Sequence, residues 1–555
     1  MKKRVLAALL TTCLAITTLA GCGSESASTS EGSTSTDTAP AAEEQAPAAE
    51  EQVATAETEA ASKYQTTYGS KMFDDVTITV ELFDRSNAPE GSTITDNRWT
   101  NYVNEQMNKV GITVEFVPVP RWDEVEKMQT MVAGQTAPDI TLTYTYAYAE
   151  DYFNQGGIWD LSEFIDGEDQ AKNLKAYIGE DTLNIGRNAD NALYGIVARR
   201  ATTAKSNFFI RKDWLDALNL EVPTTTEELH DVLYKMVHEN PDGRQDVCAI
   251  VWNAWNLRKT FSKLAGNEVE VNIAGTEDST QDYYDPGMKD YYRYMNQLYN
   301  DGILNPEYYT LSEDNFKSLF VTGSVAFMEY SVNANVDVLR GSLLKTLQEN
   351  EPSADVVSIE PLKNVNDGQQ YSPAYASGGL IAFCPKTADE EKVEACMTYL
   401  DWMCTQEGGF TIYHGFAGEH FEWEGDVPVV KDAEYNATDK DWLRTDLFVT
   451  GNQGYFATVE DFNACTSKEA PGYESYVIAN YENALKGTVD HDSVYTSPST
   501  SDHIADLTSA KDEYSTALIT CAPDDFDATW DEYMEELEKC DVQLIIQERT
   551  DYFKQ

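Results

Sequence analysis

Between Val76 and Thr143 the apolar residues switch repeatedly between a spacing of two and a spacing of three to four, which restricts the fold more than any other feature. Val76, Ile78, Val80 and Leu82 alternate with Thr77, Thr79, Glu81 and Phe83, as in a strand. After a loop with Pro89 and Gly91, Trp99, Tyr102, Val103, Met107 and Val110 fall at helical spacing, and Gly111 ends that helix. A second strand is predicted over Ile112–Val117. Pro120 opens a second helix carrying Val125, Met128, Met131 and Val132 and stopped by Gly134 and Pro138, and a third strand covers Asp139–Thr143. Strand, helix, strand, helix, strand is the order of an α/β layer with a mainly parallel sheet.

From Ile210 the pattern is mostly helical. Thr224 and Thr225 each precede a glutamate by three residues, Glu227 and Glu228, as in a capping box. A strand is predicted at Gly379–Cys384, then a helix from Asp389 to Thr405. Phe526, Trp530, Tyr533, Met534 and Leu537 form the apolar stripe of a closing helix, and Trp214, Trp402 and Trp530 are assigned to the core. A body from about residue 64 to Gln555 is long for one core and points to two lobes.

The amino terminus carries Lys2, Lys3 and Arg4, then an apolar stretch from Val5 to Leu19 that is short for a membrane span and reads as a signal peptide. It ends in Leu19-Ala20-Gly21-Cys22, which resembles the lipobox of bacterial lipoproteins. The resemblance implies removal of residues 1–21, lipid attachment at Cys22 and residence on the outer face of the cytoplasmic membrane. Residues 22–63 are rich in Ser, Thr, Ala, Glu and Pro and read as a disordered tether. A flexible chain of ~40 residues spans roughly 35 Å.

The chain has 95 acidic and 40 basic residues, a formal net charge of -55, which argues against nucleic acid or anionic lipid as a partner. Beyond Cys13 and Cys22, the cysteines are Cys248, Cys384, Cys396, Cys404, Cys465, Cys521 and Cys540. They form no CxxC pair, and most are read as small buried residues.

Several phrases spread over the body match one family. They are Met131-Val132-Ala133-Gly134-Gln135-Thr136-Ala137-Pro138-Asp139-Ile140, Ile210-Arg211-Lys212-Asp213-Trp214-Leu215 with Val222-Pro223-Thr224-Thr225, Gly323-Ser324-Val325-Ala326-Phe327-Met328, Gln406-Glu407-Gly408-Gly409, and Asp525-Phe526-Asp527. In order and spacing they resemble extracellular solute-binding protein family 1, in its large lipoprotein branch serving carbohydrate importers of the ABC type. The resemblance implies an α/β, periplasmic-binding-protein-like fold: two α/β lobes joined by hinge strands, with a ligand cleft between them. Residues 64–205 would form the first part of lobe 1, 206–375 the first part of lobe 2, 376–420 a return segment of lobe 1, and 421–555 lobe 2 with the C-terminal helices. The chain would cross near 201–208, 376–379 and 414–418. It implies a monomeric, non-enzymatic protein without cofactors that closes on a carbohydrate, expected to be an oligosaccharide, and delivers it to permease subunits.

A sugar offers hydroxyls on its edge and an apolar C–H face, so its site needs aromatic rings beside Asp, Asn, Arg and Glu. Loops after the predicted strands supply them. Phe83, Asp84 and Arg85 follow the first strand, and Tyr144, Tyr146 and Tyr148 the third. Arg199 and Arg200 precede the first crossing and Tyr375 the second. Trp252, Asn253 and Trp255 follow a short apolar strand, and Glu329 and Tyr330 follow the Gly323 turn. Arg199, Arg200 and Arg211 would suit a peptide or acidic-sugar carboxylate, although Arg211 sits at a helix start and reads as framework.

The segment Asn240-Pro241-Asp242-Gly243-Arg244-Gln245-Asp246 lies where some relatives carry a calcium loop. Here Asn240 replaces the first aspartate and Arg244 puts a positive charge among the donors, so it reads as a plain turn and no metal is expected. No GxSxG, HExxH, Walker loop or GxGxxG is present. A lipid-anchored glycoside hydrolase is the competing class. It would need two carboxyls facing across a cleft, and nothing in the sequence marks such a pair.

Overall fold

The computed structural model describes residues 63–554, apart from 189, 252–253, 276–278, 338–341, 453, 457, 494 and 496. The first strand, β1 (Val76–Asp84), pairs in parallel with β2 (Ile112–Pro120), with Asp84 opposite Pro120. Between them runs the helix Arg98–Met107, capped by the Asn97 side chain, which accepts from the Trp99 and Thr100 amides. Gly111 turns the chain back into β2 at φ 78°, and a Cβ there would meet the Phe73 carbonyl at 2.1 Å, so only glycine fits. The strand β2 runs through Pro120 instead of ending at Val117, and the next helix is Glu124–Ala133. Pro118 and Pro120 share one parity and β2 is an edge strand, so their missing N–H groups cost no ladder bond.

In chain order the other strands are β3 (Thr141–Thr143), β4 (Ile196–Arg200), β5 (Ser206–Arg211), β6 (Cys248–Val251), β7 (Val325–Ser331), β8 (Val356–Ile359), β9 (Tyr371–Ala374), β10 (Gly378–Phe383), β11 (Phe421–Glu424), β12 (Val427–Val430), β13 (Gly451–Asn452) and β14 (Thr488–His491). The first-lobe sheet has the order β13-β4-β10-β3 and the second-lobe sheet β6-β7-β5-β8. Both are mixed: β10 is antiparallel to β3 and β4, and β5 to β7 and β8, whereas β13 with β4 and β6 with β7 run parallel.

The central strands β5 and β10 are buried on both faces, which is why Phe208–Ile210 and Leu380–Phe383 read as unbroken apolar runs. In β10, Leu380 and Ala382 join the main core, while Ile381 and Phe383 join a smaller cluster with Met128, Tyr146 and Tyr194. In β5, Phe208 and Ile210 face a cluster with Trp214, Leu233 and Tyr292, and Phe209 faces the main core. That main core contains residues from both sheets, and residues 61–555 cluster as one compact unit. Trp214, Trp402 and Trp530 are buried. All seven body cysteines are free thiols, six of them buried.

The chain passes between the two four-stranded sheets at 201–205, linking β4 to β5, and at 375–377 it enters β10 from β9, which pairs with β14 in a two-stranded sheet. There Ala204 bridges Ala374, and β14 lies parallel to β9. Near 414–418, where the sequence suggested a crossing, Gly415 instead makes a tight turn at φ 83° against the His420 ring, whose Nε2 lies 2.9 Å from Asp439 inside the first lobe. The following segment stays there. The Trp99 indole donates to the Asp439 carbonyl at 3.0 Å, Asp446 holds Arg85, and β13 pairs with β4. Only beyond β13 does the chain reach the second sheet, where the helix Glu474–Ala484 packs on β5 and β8. A glycine-rich stretch signals a turn, and the residues packed around it decide where it leads.

Candidate functional site

The parallel register of β1 and β2 sets the first rim of the cleft. It places Phe83–Arg85 beside Val119–Arg121, at the carboxyl ends where α/β sheets bind ligands. The Arg121 guanidinium carbon lies 4.5 Å from the Tyr144 ring centre, 5.1 Å from Phe83 and 5.3 Å from Trp122. Trp122 is 78% exposed, an open aromatic face beside a cation. Arg85 makes a two-pronged ion pair with buried Asp446 at 2.6 and 2.9 Å. The Asp84 carboxylate accepts from its neighbour, the Ser86 amide.

Two buried glutamates hold the strand that carries Tyr144. Glu81 accepts from the Leu142 amide at 3.0 Å and Glu124 from the Tyr144 amide at 3.3 Å. Burial pushes the Glu81 carboxyl up to about 8, aided by the charge of Glu124 and opposed by the Leu142 bond. Burial also raises Glu124 and the Tyr144 phenol.

A polar chain runs from this rim to the crossings. The Asn452 amide donates to the Tyr144 hydroxyl at 3.1 Å and accepts from Arg200 at 3.2 Å. Arg200 also donates to the Gly378 carbonyl at 3.2 Å, and its guanidinium lies 4.6 Å from the Tyr375 ring centre. Burial pulls the Arg200 pKa below its usual value. On the second-lobe side, Lys205 pairs with Asp492 at 2.7 Å and lies 4.5 Å from the Trp255 ring centre. Tyr375 meets Trp255 edge-on at 6.4 Å. A cavity of about 390 Å³ adjoins the crossings, lined by Ile185, Glu268, Asn272, Ser377, His491 and Asp492 among others.

Of the residues singled out in the sequence, Phe83, Arg85, Tyr144, Arg200, Trp255 and Tyr375 line this path. Others are engaged elsewhere. The Tyr146 hydroxyl donates to the Gly379 carbonyl at 2.6 Å inside the first lobe. Arg199 donates to the Tyr177 carbonyl at 3.2 Å and lies over the Tyr177 ring. Glu329 is wholly buried and accepts from the Asn256 and Leu257 amides, the first turn of the helix Trp255–Phe261. Burial still drives its carboxyl up to about 8. Its role here is to seat the helix that presents Trp255. The Tyr330 hydroxyl donates to Glu313 at 3.1 Å and its ring packs on Phe316. Arg211 is buried between Asp213 and Glu351, as framework. Trp252, Asn253 and Cys22 lie outside the described residues.

Sequence reasoning missed Arg121, Trp122, Lys205 and Asn452. The signal for the first two was present: they follow β2 as Arg85 follows β1, but β2 was ended three residues early. Asn452 carries no local signal, because a two-residue strand has no period.

In the segment 240–246, Asn240 accepts from the Asp242 and Arg244 amides at 3.0 and 3.2 Å, and Asp242 accepts from the Trp214 indole at 2.7 Å. Arg244 pairs with Asp246 at 2.9 Å and Glu351 at 3.0 Å. Among the described residues no group of three or more His, Cys, Asp or Glu is placed to hold a metal ion.

Two α/β lobes, strands crossing between them and a polar, aromatic cleft beside the crossings define a protein of the periplasmic-binding-protein-like fold. The chain belongs to the bacterial extracellular solute-binding proteins, whose family model matches residues 101–434, more than half of its length. It is 22% identical over 358 residues to the polygalacturonan/rhamnogalacturonan-binding protein YtcQ of Bacillus subtilis, covering 62% of this chain and 66% of that one. It is 22% identical over 335 residues to lipoprotein LipO of the same organism, covering 57% and 62%. These matches span just under two thirds of the curated relatives' length. The structure of the alginate-binding protein AlgQ2 without calcium superposes with a TM-score of 0.61 at 16% identity, covering 89% of this chain and all of that one. Among the described residues no helix is long and apolar enough to cross a membrane.

Proposed function

We propose that this protein is the extracellular, lipid-anchored binding component of an ABC importer, and that its cargo is an oligosaccharide. The observation that carries this reading is the continuous path of rings and polar groups from Trp122 and Arg121 through Tyr144, Asn452 and Arg200 to Tyr375 and Trp255. Flat rings suit sugar C–H faces, and amide, guanidinium and carboxylate groups suit the hydroxyls. The carbohydrate-binding names of YtcQ and AlgQ2 support it, as does the lipobox-like tetrapeptide ending at Cys22. The crossings at 201–205 and 375–377 are the hinge about which the lobes close on the ligand, and the closed form is what a permease receives.

The two carboxyls raised to about 8, Glu81 and Glu329, are both buried and bonded to backbone amides, one in each lobe. Neither is free to protonate a glycosidic oxygen, which supports binding without turnover.

A melting scan of the purified protein against neutral and acidic oligosaccharides tests this reading, with product analysis on the same samples. Ligand at 100 times its dissociation constant adds roughly 2.7 kcal/mol, a shift of about a degree or more for a chain of this size. A shift with one sugar class and no product is the expected result. No shift across the panel, or sugar cleaved during the scan, would overturn it.

A further inference from the structure

Five buried cations of this chain sit on carboxylates. Lys259 sits on Asp490 at 2.7 Å, Lys205 on Asp492 at 2.7 Å, Arg258 on Asp282, Arg211 on Asp213 at 2.7 Å, and Arg444 on Glu469 at 3.0 Å. Such pairing is expected, since a charge taken from water without a counter-ion is strongly unfavourable. With acidic residues outnumbering basic ones 95 to 40, counter-ions are not scarce.

Arg121 and Arg200, both half-buried, break the pattern. Neither has a carboxylate within ion-pair distance among the described residues; Glu124 and Asp492 act on them only at longer range. Arg121 makes no hydrogen bond to the described protein, its Nε is buried without a partner, and three aromatic rings hold its plane. Arg200 spends two donors on the Gly378 carbonyl and the Asn452 side chain and stacks on Tyr375, which leaves the rest of its fork unused. The two are linked through Asn452 and Tyr144, both at the cleft.

We propose that the ligand supplies the missing counter-charge: the cleft takes a carboxylate-bearing oligosaccharide, a uronide, whose carboxylates are received by Arg121 and Arg200. This rests on the solute-binding reading above and narrows its ligand. A guanidinium held flat by rings presents a rigid fork that matches a carboxylate edge to edge, which an ammonium does not. Trp122 beside it offers a face for the same sugar ring. The overall negative charge does not oppose this, because at physiological salt exposed charges beyond about 8 Å are largely screened, so the local groups decide.

The test is calorimetric titration of the full lipoprotein in detergent. Probes are trigalacturonate, trimannuronate and triglucuronate, their neutral counterparts, and the methyl ester of trigalacturonate, which keeps the ring and removes the charge. At least one uronide should bind, with its uncharged counterpart weaker by roughly 10- to 100-fold. Arg121→Gln should weaken the uronide by a similar factor and lower the melting temperature by no more than about two degrees, because Arg121 loses ring contacts but no protein hydrogen bond. Arg121→Lys should fall between, keeping the charge and losing the fork. Tight binding of a neutral or sulfated oligosaccharide with no uronide bound would overturn the inference and leave the importer reading standing. Uronide binding indifferent to Arg121→Gln would overturn the residue assignment. Binding of no saccharide at all would overturn the carbohydrate reading and this inference with it.

Discussion

The interior of the second lobe and the rim of the cleft treat positive charge differently. Inside the second lobe, Arg258 meets Asp282, which also accepts from the Tyr292 and Tyr533 hydroxyls at 2.8 and 2.9 Å, and Lys259 meets Asp490. At the rim, Arg121 and Arg200 are held by rings, carbonyls and an amide. The first arrangement is closed: every strong acceptor is used, and the charge stabilises only while its partner is present. The second is open, with its geometry fixed and its charge uncompensated. On the proposed reading, the contrast separates charges that maintain the fold from charges that the ligand completes.

The largest expected effect breaks a closed pair. Asp282→Ala leaves Arg258 buried without a counter-ion and should cost about 3–5 kcal/mol of stability in denaturant unfolding. A loss below about 1 kcal/mol would mean that the pair is not the closed unit described above. Next is a buried carboxyl with no cation bound to it. The Glu329 carboxyl sits near 8 in the fold, above the ordinary value of 4.5. Its contribution is therefore fully present below about pH 4.5 and lost as pH rises through 8. The melting temperature of the native protein should fall over that window by the equivalent of a few kcal/mol, and Glu329→Gln should reduce the slope by about half, with Glu81 supplying the rest. An unchanged slope in the variant would show that other groups govern the alkaline side. The smallest expected effect is on the open side: Arg121→Gln, which loses ring contacts but no ion pair, should change stability by about 1 kcal/mol or less. A cost like that of Asp282→Ala would erase the distinction between the two regions.

Much of the scaffold was legible. The alternation in Val76–Phe83, the run Phe208–Phe209–Ile210 and the stripe Phe526–Leu537 each state a local period, and burial of both faces or of one stripe follows from it. Capping was readable too, with a difference of detail. Thr225 accepts from the Glu228 amide at 3.2 Å, and the Glu228 carboxylate reaches back to the Thr224 amide at 2.8 Å, one residue earlier than a strict capping box. The search of loops after strands returned Tyr144, Arg200, Trp255 and Tyr375, which the fold brings together along the path of rings and polar groups. The same search returned Glu329 and Tyr330, which a strand end predicts equally well but which the second lobe uses for its own packing. A sequence states that a residue follows a strand and says nothing of what stands opposite it.

What the sequence determined by itself is therefore what short range governs: the periods that make strands and helices and the glycine that turns into β2. The order of the family-like blocks added the two-lobe fold. The tertiary structure alone decided which charges are compensated. Arg85 finds Asp446 from 361 positions away and Lys205 finds Asp492 from 287, while Arg121, only 36 residues beyond Arg85 and just past the neighbouring strand, has no carboxylate within ion-pair distance among the described residues. Coulomb energies depend on separations of a few ångströms and on exclusion of water, and no spacing along the chain encodes either.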